Sequence, residues 1–410
     1  MSLGLYISVP FCRTKCSFCN FASGVTSRAV YRRYVDRICA DIAASQQTVV
    51  TMGAPLEGHA DSIYFGGGTP TVLDPAEMER IFRAIGNHFR IDTNAEITVE
   101  CAPGTLSAGM IDSLLRCGVN RVSLGVQSFV DKESAAVGRL HTRAVVLSDI
   151  ALLRSAGITN IGIDLIAGLP HQSQESWRYS LSETLASGVP HVSIYMLEVD
   201  DESRLGKELI AGGTRYHAHF VPNDDAVAAF YAEACEQMES GGLRQYEISN
   251  FAADPLSAKS GVRDNAALPA MYSRHNLKYW EREPYLGFGV DAHSMLPLHG
   301  SDFEAVRFAT AGTLEQYLQG RALDIQQIGL AQAQEESYFL GLRLNCGVDL
   351  NHTAARYGSG AVSQFQAAID DLCREGMLTR CDGTIRLTAQ GRLLSNDVFE
   401  RFLASPQLQD

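Results

Sequence analysis

Three cysteines close to the start of the chain have the spacing of a metal site. Cys12, Cys16 and Cys19 form the pattern C-x3-C-x2-C directly after a short apolar run at residues 5–9. Thiolates are soft ligands, and a loop that carries three of them is typical of a site for a soft metal. A structural zinc site needs four ligands, and no second Cys or His pair stands nearby in the sequence. Three cysteines instead suit a four-iron, four-sulfur cluster that leaves one iron open to a substrate or cofactor.

The elements that position this loop follow a repeating pattern of strand and helix. Short β-branched or apolar runs predict strands at residues 5–9, 62–65, 96–99, 121–125, 160–165 and 192–197. Amphipathic segments predict helices between them, near residues 28–45, 75–89, 106–117, 142–156 and 174–187. Because a crossover helix returns the chain to the same edge of a sheet, this alternation forces parallel pairing. The predicted fold class is therefore α/β, as a partial TIM-like barrel of six βα units.

Each predicted strand ends at or just before a residue that could bind a ligand. In strand order these residues are Cys12, Gly66, Glu100, Gln127, Asp164 and Glu198. The carboxyl ends of barrel strands form one rim, which is where ligands bind in such barrels. The sequence therefore predicts one binding site that is shared by all six strands.

The residue types at this rim indicate a charged ligand. The glycines at 66–68, followed by Thr69, let bare backbone approach a ligand closely, but they lack the Lys of a phosphate loop. Glu100 and Asp164 could bind an ammonium group or ribose hydroxyls, Gln127 can donate and accept, and Arg139 can bind a carboxylate. Singly, each of these residues would more often be a surface or packing residue.

Composition narrows the class of protein. The chain has 410 residues, of which 46% are apolar and 20% charged, so it has the material for more than one folded domain. Its net charge of -13 disfavours nucleic acid as the main partner. No run of 18 apolar residues and no basic amino-terminal signal is present, so we expect no membrane span and a cytoplasmic location. The seven remaining cysteines are scattered singly, which is typical of buried or surface thiols rather than a disulfide framework.

The repeat breaks down after residue 200. We expect an irregular connection at 201–222, a helix at 224–240, a strand at 245–251 and a surface loop at 252–270. Helices at 332–343, 361–375 and 389–403 and a strand at 384–387 resemble a winged-helix arrangement, but without the basic run that would favour DNA binding. The predicted domains are 1–222 for the barrel, 223–330 for its extension and 331–410 for a mainly helical carboxyl-terminal module.

The cysteine triplet, with Phe18 before its last member, resembles the signature of the radical S-adenosylmethionine (SAM) superfamily. The resemblance implies that the open iron chelates SAM and that the reduced cluster cleaves the sulfonium to a 5'-deoxyadenosyl radical. Four further segments are similar to the subfamily of oxygen-independent coproporphyrinogen III oxidases (HemN) and heme chaperones (HemW): residues 5–12, 66–70, 125–129 and 163–170. By motif, the implied SAM contacts are Tyr6, Phe18, Gly67, Gly68, Thr69, Glu100, Gln127, Arg139, Asp164 and Glu198.

Two features point away from the oxidases, and a third indicates the chaperone branch of this subfamily. Asn20 and Phe21 follow the triplet where the oxidases carry a further Cys. The oxidases also have an amino-terminal extension, whereas here the first strand begins almost at once. Residues 275–280 reproduce the chaperone motif H-N-x-x-Y-W. An imidazole is a usual axial ligand of heme iron, and aromatic neighbours offer flat apolar area to a macrocycle, so His275 is the favoured heme contact. A lone His near aromatic residues is otherwise more often a hydrogen-bonded packing residue.

The resemblance thus implies a heme chaperone that binds a 4Fe-4S cluster, SAM and heme and transfers heme to acceptor hemoproteins such as respiratory enzymes. The alternative is an oxidase that decarboxylates two propionates of coproporphyrinogen III. The loop at 252–273 is longer than is usual in the subfamily and lies directly before the motif.

Overall fold

The structure is a computed structural model that describes residues 2–54, 56, 58–253, 271–299 and 302–403. Most of the loop predicted before the H-N-x-x-Y-W motif, residues 254–270, lies outside the described residues. Among the residues described, no helix combines the length and the apolarity needed to cross a membrane.

The six predicted barrel strands are confirmed, and each pairs in parallel with the next. They are β1 (Leu3–Val9), β2 (His59–Gly67), β3 (Arg90–Cys101), β4 (Arg121–Gln127), β5 (Asn160–Ala167) and β6 (His191–Met196). Their side chains alternate with a period of two: Ile63 and Phe65 of β2 are buried in the main apolar core, whereas Ser62 and Tyr64 contact polar side chains of other segments. This alternation gives the barrel a polar interior, unlike the apolar filling of a closed TIM barrel.

The five predicted helices that cover the outer face are confirmed as well, within a few residues. They are α1 (Arg28–Thr51), α2 (Pro75–His88), α3 (Ala108–Arg116), α5 (Arg143–Ser155) and α6 (Gln174–Ser187); a short helix that the sequence prediction omitted, α4 (Asp131–Ala136), follows β4. Local signals fix their starts: Ser107 caps α3, and Ser173 with Ser176 forms a capping box on α6.

Strands on both edges extend the barrel into a sheet of 12 strands. Beyond β6 lie β8 (Asn250–Ala253) and then β7 (Leu243–Gln245), both in antiparallel pairing. On the other edge β9 (Tyr285–Phe288) runs parallel to β1 and is followed by antiparallel β10 (His293–Pro297), β11 (Ala305–Ala309) and β12 (Asp324–Ile328). These strands surround the barrel, so its first and last strands are not free edges.

Two predictions between the barrel and the carboxyl-terminal module are wrong. The single strand expected at 245–251 is a hairpin, because the buried Glu247 side chain accepts hydrogen bonds from Ser249 N and Asn250 Nδ2 and turns the chain. The connection at 201–222 contains α7 (Arg204–Ile210), which begins where the Ser203 side chain accepts from Gly206 N. The helix predicted at 224–240 is confirmed as α8 (Asp224–Ser240).

The carboxyl-terminal module has its own apolar cluster, centred on Tyr338, Phe365 and Phe402. Its elements are α11 (Leu330–Gly341), α12 (Leu350–Tyr357), α13 (Gly360–Ser363), α14 (Gln366–Arg374), α15 (Ala389–Leu393), α16 (Ser395–Glu400) and a sheet of β13 (Val348–Asp349), β14 (Leu378–Cys381) and β15 (Thr384–Leu387); α9 (Arg274–Trp280) and α10 (Leu314–Leu318) precede it. The helices predicted at 361–375 and 389–403 are each broken in two, the first where Phe365 turns inward to contact Tyr338. The sequence prediction also omitted α12.

Candidate cofactor site at the carboxyl end of the barrel

A cavity of about 710 Å³ opens at the carboxyl end of the barrel strands. Cavities of about 300–1,000 Å³ are the usual size for small-molecule sites. Most of the predicted site residues line it: Cys12, Cys16, Phe18, Cys19, Gly67, Gly68, Thr69, Glu100, Gln127, Arg139, Asp164 and Glu198. Two of them, Tyr6 and His275, do not line the cavity and lie deeper in the barrel. The carboxyl-terminal module contributes Arg343 and residues 393–397 to the wall.

Backbone hydrogen bonds hold the cysteine loop in place after β1. Cys12 N donates to Gly24 O at 3.0 Å, and Gly24 N donates to Pro10 O at 2.9 Å, which ties the two ends of the loop together. Ser17 is held from both sides, since its N–H donates to Val137 O and its carbonyl accepts from Leu205 N. The loop therefore takes its shape from α7 and from the segment after α4, neither of which adjoins it in the sequence.

All three thiols face the same cavity, and each has at least one polar neighbour. Thr69 Oγ1 donates to Cys12 Sγ at 3.7 Å, Arg139 Nη1 donates to Cys16 Sγ at 3.7 Å, and Cys19 Sγ lies 3.9 Å from a serine hydroxyl. Burial raises the pKa of the Cys12 thiol. Within the ranges described, no three His, Cys, Asp or Glu side chains are already gathered closely enough to hold a metal ion.

The glycine segment after β2 lies directly against the cysteine loop. Gly68 N donates to Val9 O at 2.8 Å, and Thr69 N donates to Phe11 O at 2.7 Å. A Cβ at position 68 would lie 2.7 Å from Phe11 O and 2.8 Å from Val9 O, closer than any ordinary contact. Gly67 has a φ of 100°, which favours glycine. The glycines are thus required so that β2 and the cysteine loop can meet.

Two half-buried carboxyl groups, Glu100 and Asp164, form the floor of the cavity. Burial first, and then the neighbouring Asp164 carboxylate, raise the pKa of Glu100 to about 7. Tyr64 Oη donates to Glu100 Oε1 at 2.8 Å, and Ser123 Oγ donates to Asp164 Oδ1 at 3.1 Å. Burial also raises the pKa of Asp164. Without a bound cation these two carboxyl groups oppose each other, so the floor favours a positively charged or proton-donating ligand.

The raised pKa of Glu100 predicts how the stability of the cluster-free protein depends on pH. The folded state holds the Glu100 proton more tightly than the unfolded state, so stability is lost as pH rises from about 4.5 to about 7. We expect Glu100→Gln to remove a loss on the order of 3 kcal/mol across that window. Urea unfolding of both proteins at pH 5 and pH 8 under reducing conditions measures it. Glu198→Gln, at an exposed position on the same rim, is the control, and an equal pH slope in wild type and Glu100→Gln would contradict the prediction.

Arg139 and Gln127 also line the cavity. Arg139 Nη2 donates to Gly125 O, while its buried Nε has no hydrogen-bond partner. Gln127 ends β4 with a φ of 68°, a left-handed conformation that is uncommon for residues other than glycine and that accompanies a bulge in the strand. Three soft thiol donors, a floor of carboxyl groups and an arginine with an unused donor fit an iron-sulfur cluster together with a ligand that carries both an ammonium and a carboxylate.

An aromatic layer lies beneath the floor of the cavity. The Tyr64 ring stacks on His275 with 5.3 Å between ring centroids, and Tyr6 stacks on both at 6.2 and 6.3 Å. Because Tyr64 also bonds to Glu100, only one residue separates His275 from the cavity floor. Tyr6, expected to contact SAM, instead belongs to this deeper layer in the structure.

His275 is buried, with only 1% of its surface exposed, and both of its ring nitrogens are hydrogen-bonded. Nδ1 lies 3.0 Å from Ser62 Oγ, and Nε2 lies 2.9 Å from Tyr279 Oη. Its backbone N–H, at the start of α9, donates to Glu96 at the amino-terminal end of the barrel. Burial, and next the Lys278 ammonium group, lower the pKa of His275 to about 3, so the imidazole is neutral. In this conformation His275 closes the barrel from below, and an iron atom could reach a ring nitrogen only if one of these hydrogen bonds opened.

Sequence reasoning missed three contributors to the site. Tyr64 connects the floor to the aromatic layer, and its position two residues before Gly66 on β2 was an available signal, since alternate residues share a face. Arg343 and the segment 393–397 come from the carboxyl-terminal module. No local pattern marks them, because only the packing of the module against the barrel brings them to the cavity.

A partial parallel barrel whose first strand leads into a C-x3-C-x2-C loop, with a cavity at its carboxyl rim, defines the radical SAM class of proteins. The model of the radical SAM superfamily matches residues 6–183, and that of the HemN C-terminal domain matches residues 302–394. The chain is 31% identical over 405 residues to the heme chaperone HemW of Bacillus subtilis, covering 97% of this chain and 98% of that protein. It is 27% identical to HemW of Escherichia coli, with 98% of each chain covered.

A solved structure shares the whole fold. The structure of coproporphyrinogen III oxidase (HemN) from Escherichia coli matches with a TM-score of 0.78 at 23% identity, covering 98% of this chain and 90% of that chain. The chain therefore belongs to the radical SAM superfamily and, within it, to the HemN/HemW subfamily. Membership of this superfamily implies an iron-sulfur cluster and SAM as cofactors.

Proposed function

We propose that this protein is a heme chaperone, which binds heme as cargo and passes it to acceptor hemoproteins. The proposal rests on the similarity to HemW proteins over nearly the full chain and on the H-N-x-x-Y-W motif of α9. The observation that carries it is the position of this motif. Its His275 lies beneath the cavity and stacks on Tyr64, which donates to Glu100 of the cavity floor.

Cys12, Cys16 and Cys19 are the proposed ligands of the cluster. When bound, the cluster supplies one-electron chemistry to SAM at its open iron. Glu100 and Asp164 would pair with the ammonium group or ribose hydroxyls of SAM, and Arg139 would use its unpaired N–H groups on a carboxylate. Gly67 and Gly68 present bare backbone on one side, and Phe18 provides an apolar wall. These residues bind and orient SAM, and the transfer of heme requires no radical.

His275 is the proposed axial ligand of heme. Its neutral imidazole is the form that binds iron, and Tyr6, Tyr64 and Tyr279 surround it with aromatic area. Because Nε2 is engaged by Tyr279 in the present conformation, heme binding is expected to open α9 from the bottom of the barrel.

The second candidate function is the oxidase reaction, which the fold likeness to HemN favours.

A heme titration with a parallel enzyme assay tests the proposal. We expect saturable binding of heme by the anaerobically reconstituted protein, and faster delivery of heme to an apo-hemoprotein than from free heme. With coproporphyrinogen III, SAM and reductant we expect no protoporphyrinogen IX, while Escherichia coli HemN in the same assay serves as the positive control. Robust multiple-turnover formation of protoporphyrinogen IX by this protein would establish the oxidase instead.

A further inference from the structure

The described wall of the cavity contains four Arg or Lys residues, and one of them differs from the other three. Arg13 and Lys15 belong to the cysteine loop and Arg139 lies beside it, and each donates to a backbone carbonyl group. Arg343 comes from the carboxyl-terminal module, directly after α11, and among the residues described its guanidinium donates to no backbone carbonyl group. Each of these three residues thus uses part of its hydrogen-bonding capacity on the backbone, although Arg139 Nε stays unpaired, whereas the Arg343 guanidinium makes no hydrogen bond among the residues described.

The surroundings of Arg343 hold the side chain without using its donors. Its guanidinium lies over the Trp280 ring at 4.1 Å from the centroid, a cation–π contact with the last residue of the H-N-x-x-Y-W motif. Nη2 forms an ion pair with Glu247 Oε2 at 3.7 Å, too long for a hydrogen bond, and both Arg343 Nε and Glu247 Oε2 are buried without a hydrogen-bond partner. The side chain is 26% exposed, so the guanidinium is held in the cavity wall and still accessible.

Unused donors at this place call for an acceptor. Trp280 Nε1 is, like Arg343 Nε, a buried N–H group without a partner among the residues described. A buried donor left without an acceptor is costly, so two of them on stacked side chains favour a bound anion or ordered water. Burial raises the pKa of Glu247, and the Arg343 charge partly offsets that rise.

We propose that Arg343 is a cargo-binding residue that receives a propionate carboxylate of the tetrapyrrole. This inference rests on the proposed function, because it requires heme to be the cargo. The planar guanidinium matches a carboxylate in a two-pronged hydrogen-bonded geometry. Its stacking on Trp280 joins it to the helix that carries His275, so one helix would both supply the iron ligand and hold the arginine that binds the charged edge of the macrocycle. The carboxyl-terminal module thereby supplies part of the heme site rather than only covering the barrel.

Blocking the carboxylates on the ligand and removing the cation on the protein test this inference together. We expect Arg343→Gln to weaken heme binding about tenfold to a hundredfold. The same substitution should leave the affinity for heme dimethyl ester, whose propionates carry no charge, within about twofold of the wild-type value. Arg343→Lys keeps the charge without the two-pronged geometry and should fall between.

Arg307→Gln is the matched control for folding. Arg307 is 30% exposed and pairs with a buried carboxylate, Glu336, at 2.9 Å, but it does not line the cavity. The Arg307→Gln variant should be less stable than the wild type but should bind heme with the same affinity. Equal losses of affinity for heme and its ester in Arg343→Gln, or no loss for either, would overturn this inference and leave the proposed function standing. A wild-type protein that fails to bind heme would overturn the proposed function and this inference with it. Weakened SAM binding with unchanged heme binding would assign the carboxylate to SAM, which also overturns it.

Discussion

Replacing Cys12, Cys16 and Cys19 together with alanine is expected to abolish the retention of iron and sulfide. Protein purified without oxygen and supplied with ferrous iron and sulfide should carry about four irons per chain and absorb in the visible range. The triple variant should be colourless, because the described cavity wall offers no other thiol besides the buried Cys101. Iron and sulfide analysis with visible absorption spectra measures the effect.

The control for this experiment uses cysteines outside the loop. Cys39, Cys235 and Cys346 are half-buried free thiols that do not line the cavity, so their triple alanine variant should keep the full cluster. Far-ultraviolet circular dichroism confirms that both variants are folded. Wild-type protein that acquires only zinc, or a loop variant that still holds iron and sulfide in the wild-type ratio, would contradict the assignment of these three cysteines.

The barrel and its rim could be predicted because their signals are local. Each of the six strands is a short apolar run, and the residue that follows it points to the rim by the geometry of a parallel barrel. Glu100 and Asp164 were accordingly predicted without knowledge of the structure, and both are on the cavity floor. The C-x3-C-x2-C pattern is local in the same sense, since eight consecutive residues contain the whole triplet.

The parts of the site that come from distant segments could not be predicted. Arg343 reaches the cavity because α11 packs near α9, and its contact with Trp280 joins residues more than 60 positions apart. Likewise Glu247 turned a predicted strand into a hairpin through side-chain hydrogen bonds that apolar periodicity does not report. The burial of His275 is a further case. The motif can be recognised in the sequence, but its position at the bottom of the barrel depends on a hydrogen bond from His275 N to Glu96 on β3.

His275→Ala is expected to lower the affinity for heme by about tenfold or more and to remove the spectrum of histidine-ligated heme. The substitution deletes the proposed iron ligand, and it leaves Ser62 and Tyr279 without their partner. We therefore also expect a loss of stability of about 2–4 kcal/mol. Exogenous imidazole separates the loss of the iron ligand from the loss of stability. It can enter the space left by the side chain and restore the spectrum of ligated heme, although it is not attached to the protein backbone. Heme titration with and without imidazole measures both.

Tyr279→Phe distinguishes an iron ligand from a packing residue. This variant keeps the aromatic ring but removes the hydroxyl that lies 2.9 Å from His275 Nε2. If Nε2 must leave that hydroxyl to bind iron, losing the hydrogen bond costs the closed state about 1 kcal/mol and should tighten heme binding about fivefold. Opposite changes of heme affinity in Tyr279→Phe and His275→Ala would thus indicate that the iron is ligated by His275 Nε2, the nitrogen that Tyr279 engages in the closed barrel. If His275 only packs, heme affinity and spectrum should stay unchanged in both variants while stability falls, and His275 would then be removed from the heme site.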